Sequence, residues 1–181
     1  MGETKTCFCI PPESGAIVER LHFNRQASTI NSMNERKREY FDRQVEWVLA
    51  QLPQGILRIL EDVPLHVEDR PSKQLMQQLR LALKLGADGA GKLRSGKLCS
   101  YLSGVPYGKT SQYFGLHAYL PAKIPEPHSV TIFRRGIVVA SRDEEGKVCR
   151  DRIRQQIRSS ILCSLARLHG MKEEEIADRY G

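Results

Sequence analysis

The sequence contains no apolar run approaching the roughly 18–20 residues that a membrane span needs, so no membrane partner is expected. Its first residues, MGETKTCFCIPPESG, lack a basic stretch followed by an apolar one, the pattern of a secretory signal. There are no internal repeats. The cysteines (Cys7, Cys9, Cys99, Cys149 and Cys163) are odd in number and irregular in spacing, which argues against a disulfide framework and for reduced thiols in a cytoplasm. Cys7-Phe8-Cys9 is a pair that could bind a metal or sense redox state, although in a polar tail such a pair is more often incidental. A phosphate-cradling G-x-x-x-x-G-K-[ST] loop is missing too, because Gly91-Lys92 is followed by Leu93.

The composition is that of a globular chain. Hydrophobic residues make up 40% and charged residues 27% of 181, enough for one domain with its own core and against wholesale disorder. The net charge is +7, with part of the excess between Arg134 and Arg167. Such an excess can meet an acidic partner such as nucleic acid, or it can be a solvated helix face.

Residues 1–33 show little periodicity and read as a partly flexible N-terminal tail, with a short strand possible at 15–23. From Glu35 onward Phe41, Val45, Val48, Leu49 and Leu52 recur at helical spacing, until Pro53 stops or restarts the helix. Ile56, Ile59 and Leu60 mark a second short helix, and Val63, Leu65 and Val67 alternate as one face of a strand. Pro71 and Ser72 open another helix carrying Leu75, Met76, Leu79 and Leu83. Residues 84–98 mix Gly86, Gly89, Gly91 and Gly96 with Lys84, Lys92, Arg94 and Lys97 and read as a flexible basic insertion. The Pro- and Gly-rich stretch 99–128 reads as irregular, with one short strand around Tyr113 to Tyr119. The best strand is 130–133, which leads into Arg134-Arg135-Gly136 and Ile137-Val138-Val139. A last long helix, about 148–169, carries Ile153, Ile157, Ile161, Leu165 and Leu168 on one face and ends at Gly170; a short helix follows at 172–180.

The order "LPQGILRILEDVPLHVEDRPS" at 52–72, "LSGVPYG" at 102–108, "SQYFG" at 111–115 and "TIFRRGI" at 131–137, then a long helix ending in Gly170, resembles the bacterial minimal zincin-like metallopeptidases. The resemblance implies an α+β fold, in which a small mixed sheet packs against a long motif helix and N-terminal helices. It would occupy 34–181 and be interrupted by the insertion. It also implies that 130–133 is an edge strand bordering a peptide groove. The family's last helix carries H-E-x-x-H-x-x-G-x-x-D, two histidines and an acidic residue for zinc with a glutamate to polarise the bound water. When the family glycine is aligned with Gly170, the histidine positions hold Cys163 and Arg167, the glutamate position holds Ser164, and the aspartate position holds Glu173.

Cys163 and Glu173 could each offer a metal ligand, but Arg167 cannot coordinate a cation and Ser164 is too weak a base. His169 lies two residues past the second ligand position and so points about 200° away on a helix. His66, His117, His128 and Cys99 sit in no recognisable ligand pair. No catalytic, cofactor-binding or metal residue is therefore assigned, and no bound zinc or other cofactor is expected. The implied function is an inactive metallopeptidase-like protein that binds a peptide or protein. The alternatives are a basic nucleic-acid-associated protein, or a hydrolase with an unrecognised site, for which Cys163, beside Arg167, is the candidate nucleophile.

Overall fold

The computed structural model describes residues 22–23, 33–82, 96–105, 112–114, 117–121 and 128–180. Among these are β1 (His22–Phe23), α1 (Glu35–Leu49), α2 (Gln54–Asp62), β2 (Leu65–Glu68), α3 (Lys73–Ala82), β3 (Ser100–Val105), β4 (Gln112–Phe114), β5 (His117–Pro121), β6 (Ser129–Phe133), α4 (Arg134–Ala140), α5 (Arg150–His169) and α6 (Glu173–Tyr180). The fold is α+β. Most of the N-terminal segment, the body of the 84–98 insertion and Cys7-Phe8-Cys9 lie outside the described residues.

Local chemistry sets the helix boundaries. Asn34 caps α1, its side chain accepting from the Lys37 amide at 3.0 Å. The Ser72 hydroxyl does the same for the Leu75 amide at the start of α3, also at 3.0 Å. At the end of α5 Gly170 adopts φ 71°, a left-handed conformation that costs glycine little. The Met171 amide then reaches the Ala166 carbonyl and the Gly170 amide the Arg167 carbonyl, which closes a Schellman cap.

The sheet is mixed, in the order β1-β2-β6-β3-β5-β4. β1, β2 and β6 run parallel, β3 is antiparallel to β6, β5 is parallel to β3, and β4 is antiparallel to β5. α5 crosses one face and packs against β3, β6, α1 and α6. The main core lies on that side: Phe41, Val45 and Val48 of α1 and Ile153, Ile157, Ile161 and Leu165 of α5 meet Leu65, Val67, Val130 and Ile132. A smaller cluster on the other side joins Met76 and Leu79 of α3 to Leu98, Ala118 and Phe133. Phe133 and its neighbour Ile132 serve opposite faces, as a strand buried on both sides requires.

Two expectations fail here. The strand 130–133 is not an edge: β6 lies between β2 and β3 with its backbone groups engaged on both sides, so no peptide can add to it. The stretch 99–128 supplies three strands rather than one, and these fill the sheet beyond β6. β4 ends the sheet on that side among the described residues.

The residues that carry the resemblance meet in space. Arg134, at the start of α4, is 1% exposed. Its Nε donates to Asp42 Oδ1 at 2.9 Å, and its Nη1 to Asp69 Oδ1 at 3.2 Å and to the Val67 carbonyl at 3.3 Å. Arg38 grips the same Asp69, with Nη2 to Oδ2 at 2.6 Å. The "VEDRP" aspartate and the first "TIFRR" arginine are thus a clamp that fixes β2, β6, α1 and α4 together. A close approach sits two residues further on. A Cβ on Gly136 would collide with the carbonyl of Leu98. Because that obstacle is backbone, Gly136→Ala should cost about 2 kcal/mol through displacement of the chain leading into β3. Denaturant titration of the two proteins would measure it, and an unchanged midpoint would show that the contact relaxes freely.

Candidate functional site

The C-terminal half of α5 faces the starts of β3 and β5, and the aligned motif positions lie there. Ser164 is buried; its hydroxyl donates to the Ser160 carbonyl at 2.8 Å and lies 3.2 Å from Ser100 Oγ on β3. Ser100, fully buried, is in turn 2.8 Å from His117 Nδ1 on β5. The parallel register sets Ser100 directly opposite His117, which is why the two side chains share a face. The result is a hydrogen-bonded chain from helix to sheet: Ser160 carbonyl, Ser164, Ser100, His117.

Cys163, Arg167 and Glu173 form the other half of the site. Cys163 and Arg167 are one helical turn apart on α5, and the Gly170 cap turns the chain so that Glu173 comes back alongside; the Ser159 hydroxyl donates to Glu173 Oε2 at 3.2 Å. Burial pushes the Cys163 thiol up, and the Glu173 charge pushes it further, while Arg167 pulls it down by its charge and a hydrogen bond. The upward influences win, so Cys163 is a thiol at neutral pH. The activation expected from Arg167 for a nucleophilic Cys163 is therefore outweighed. The guanidinium of Arg167 also bears on His117, whose pKa falls to about 4, first through burial and then through that charge.

The alignment thus brings Cys163, Arg167 and Glu173 together, with Ser164 beside them and Gly170 as the cap that makes the return possible. His117 and Ser100 join them; in the sequence His117 stood only as a histidine in no recognisable ligand pair, and Ser100 was missed. A single histidine in a Pro- and Gly-rich stretch reads as surface, and only the β3–β5 register pairs it with Ser100. The remaining candidates stand elsewhere. Cys99 is fully buried, bonded to the Lys97 carbonyl, and pushed up to about 12 by burial. His66 lies on β2, and His128 just precedes β6 with a buried Nδ1 that has no partner among the described residues. His169 is exposed, its ring centre 6.1 Å from that of Tyr180 and tilted 43° to it.

This donor set does not fit zinc. Where the resembling motif would place a second histidine, Arg167 puts a permanent cation within reach of Cys163, and no carboxylate stands at 164 to take a proton from water. Among the described residues no group of three or more His, Cys, Asp or Glu side chains is placed to hold a metal ion. Nor is any described helix long and apolar enough to cross a membrane. Fold and site define an α+β domain with a mixed sheet and a buried polar chain behind its longest helix. No family model matches the chain, and no curated protein or solved structure matches it either.

His117 gives the site a pH signature. Its folded pKa, about 4, lies below the ordinary 6.5, so between those values the unfolded chain binds the extra proton. The stability from neutral His117 is complete above about pH 6.5 and is lost as pH falls toward 4. The full effect is up to ~3 kcal/mol. His117→Gln should flatten the decline in melting temperature between pH 7 and pH 5 relative to the unmodified protein. Parallel curves for the two proteins would show that His117 is not held neutral.

Proposed function

We propose that this chain is a zincin-like metallopeptidase-family protein that has lost its zinc chemistry and acts by binding a peptide or protein. The observation that carries the reading is the convergence of Cys163, Arg167 and Glu173 on the face where the family motif would place its ligands, with Arg167 among them. Further support comes from the clamp of Asp69 and Arg134, which gives the resembling segments a structural reason to persist without catalysis. With β6 closed on both sides, the binding edge in this reading is β4. Its partner β5 carries His117, so an extended peptide added along β4 would run near the motif face.

Zinc content after dialysis, read by elemental analysis, is expected to be below about 0.1 equivalent. Peptides selected from a display library should bind the full chain and lose affinity with Arg167→Glu. Stoichiometric zinc that survives dialysis, or chelator-sensitive cleavage of a quenched peptide library, would overturn the reading.

A further inference from the structure

α1 presents a mixed arginine and aromatic stripe to solvent. Arg36, Tyr40, Arg43 and Trp47 follow one another at spacings of four, three and four. At about 100° per residue they fall within about 60° of each other around the helix. Both arginines are exposed, Tyr40 is 40% exposed and Trp47 44%. The opposite face, with Phe41, Val45 and Val48, is the one that enters the core.

α5 extends this surface. Arg154 donates from Nε to Gln44 Oε1 at 2.9 Å, and its guanidinium carbon sits 3.8 Å from the centre of the Trp47 ring. Arg150, one turn earlier, is exposed. Asp151 lies 3.7 Å from Arg150 and 3.9 Å from Arg154, but at 77% exposure such pairs are weak and readily exchanged for another anion. The acidic residues of α1, Glu35, Glu39, Asp42 and Glu46, centre about 100° from the middle of the stripe, on the flank opposite Gln44; Glu39 comes nearest, about 40° from Arg43.

We infer that this face of α1 and α5 binds single-stranded nucleic acid. The arginines meet phosphates, and the ring of Tyr40 and the face of Trp47 turned away from Arg154 stack on unpaired bases. Seven residues separate the rings, about 10 Å along the helix axis, a span that a few nucleotides can bridge. A duplex keeps its base faces inside its own stack and would leave both rings unused. An acidic peptide would satisfy the arginines but likewise gives the rings nothing to stack on. The surface is distinct from the Cys163, Arg167 and Glu173 face, so it stands or falls independently of the peptide-binding reading.

Trp47 is the only tryptophan in the chain, so its fluorescence reports this surface alone. The full-length protein would be titrated with a thymidine oligonucleotide of about a dozen residues, at low and moderate salt. Quenching of Trp47 is expected, with affinity falling as salt rises. The double reversal Arg36→Glu with Arg43→Glu, at exposed sites that leave the core intact, should weaken binding roughly ten-fold or more. Trp47→Leu should weaken it as well, followed by the anisotropy of a labelled oligonucleotide, and unchanged melting temperatures would confirm that the variants are folded. The inference is overturned if the oligonucleotide neither quenches nor binds, or if the variants bind as well as the original. It is also overturned if a duplex of equal length or polyglutamate competes as strongly, since plain charge would then account for the effect.

Discussion

Arg134→Met should cost about 3 kcal/mol of folding stability, which for a chain of this size lowers the melting temperature by roughly 10 °C. Methionine fills much of the space of the arginine stem, so the loss is mainly electrostatic. Asp42 and Asp69, 18% and 17% exposed, lose contacts at 2.8 Å and 3.2 Å to the cation they share. Two partly buried carboxylates without a shared cation repel and are poorly hydrated, whereas removing charge from both sides is far less costly. Arg134→Met with Asp42→Leu should therefore recover part of the loss, while Asp69 keeps Arg38 and the Met33 amide. Guanidinium denaturation of the single and double variants measures both steps. A double variant less stable than the single one by the full cost of Asp42→Leu would show that the two residues act separately.

That clamp marks where sequence reading reached its limit. Arg134 and Arg135 are adjacent, and nothing local says which is buried. The answer depends on Asp42, 92 residues away, and on Asp69. The long periodic elements were legible because burial of one helix face leaves a pattern: Phe41 to Leu49, Ile153 to Leu165, and the αL cap at Gly170 all stand where periodicity and cap chemistry put them. Val63, Leu65 and Val67 alternate and are buried together. Of the three strands at 100–121 only one was legible, around Tyr113 to Tyr119 where β4 and β5 lie, because glycine and proline punctuation hides short runs whose order comes only from pairing. The same gap explains the mistaken edge. A five-residue strand such as β6 carries no mark of its neighbours, and its second neighbour, β3, was not recognised. The site was legible as a set of aligned positions, but Ser100 and His117 required the register.

Cys163→His with Arg167→His should turn a chain that does not fit zinc into one that takes it up weakly, with a Kd near ~10 µM, about 7 kcal/mol of binding free energy. The substitutions remove the cation and set two imidazoles one turn apart on α5. Glu173 is already close enough to raise the Cys163 thiol and can supply an oxygen. Loss of Arg167 also relieves the charge that helps hold His117 neutral, so the acid sensitivity near pH 5 should change in the same variant. Peptidase activity should remain absent, because Ser164 cannot accept a proton from water. Adding Ser164→Glu meets an obstacle that the aligned motif alone does not reveal. The Ser164 side chain is 4% exposed and bonded to Ser100 and to the Ser160 carbonyl, so a carboxylate there loses hydration and faces an acceptor. The triple variant should therefore be less stable than the double by about 2–3 kcal/mol, and zinc should recover part of that loss by binding only the folded form. Calorimetric zinc titration and thermal melts with and without zinc separate these effects. A folded double variant that takes up no zinc would show that Cys163, Arg167 and Glu173 are neighbours without being a ligand set. A triple variant as stable as the double would mean that the Ser164, Ser100 and His117 chain opens to water more easily than its burial implies.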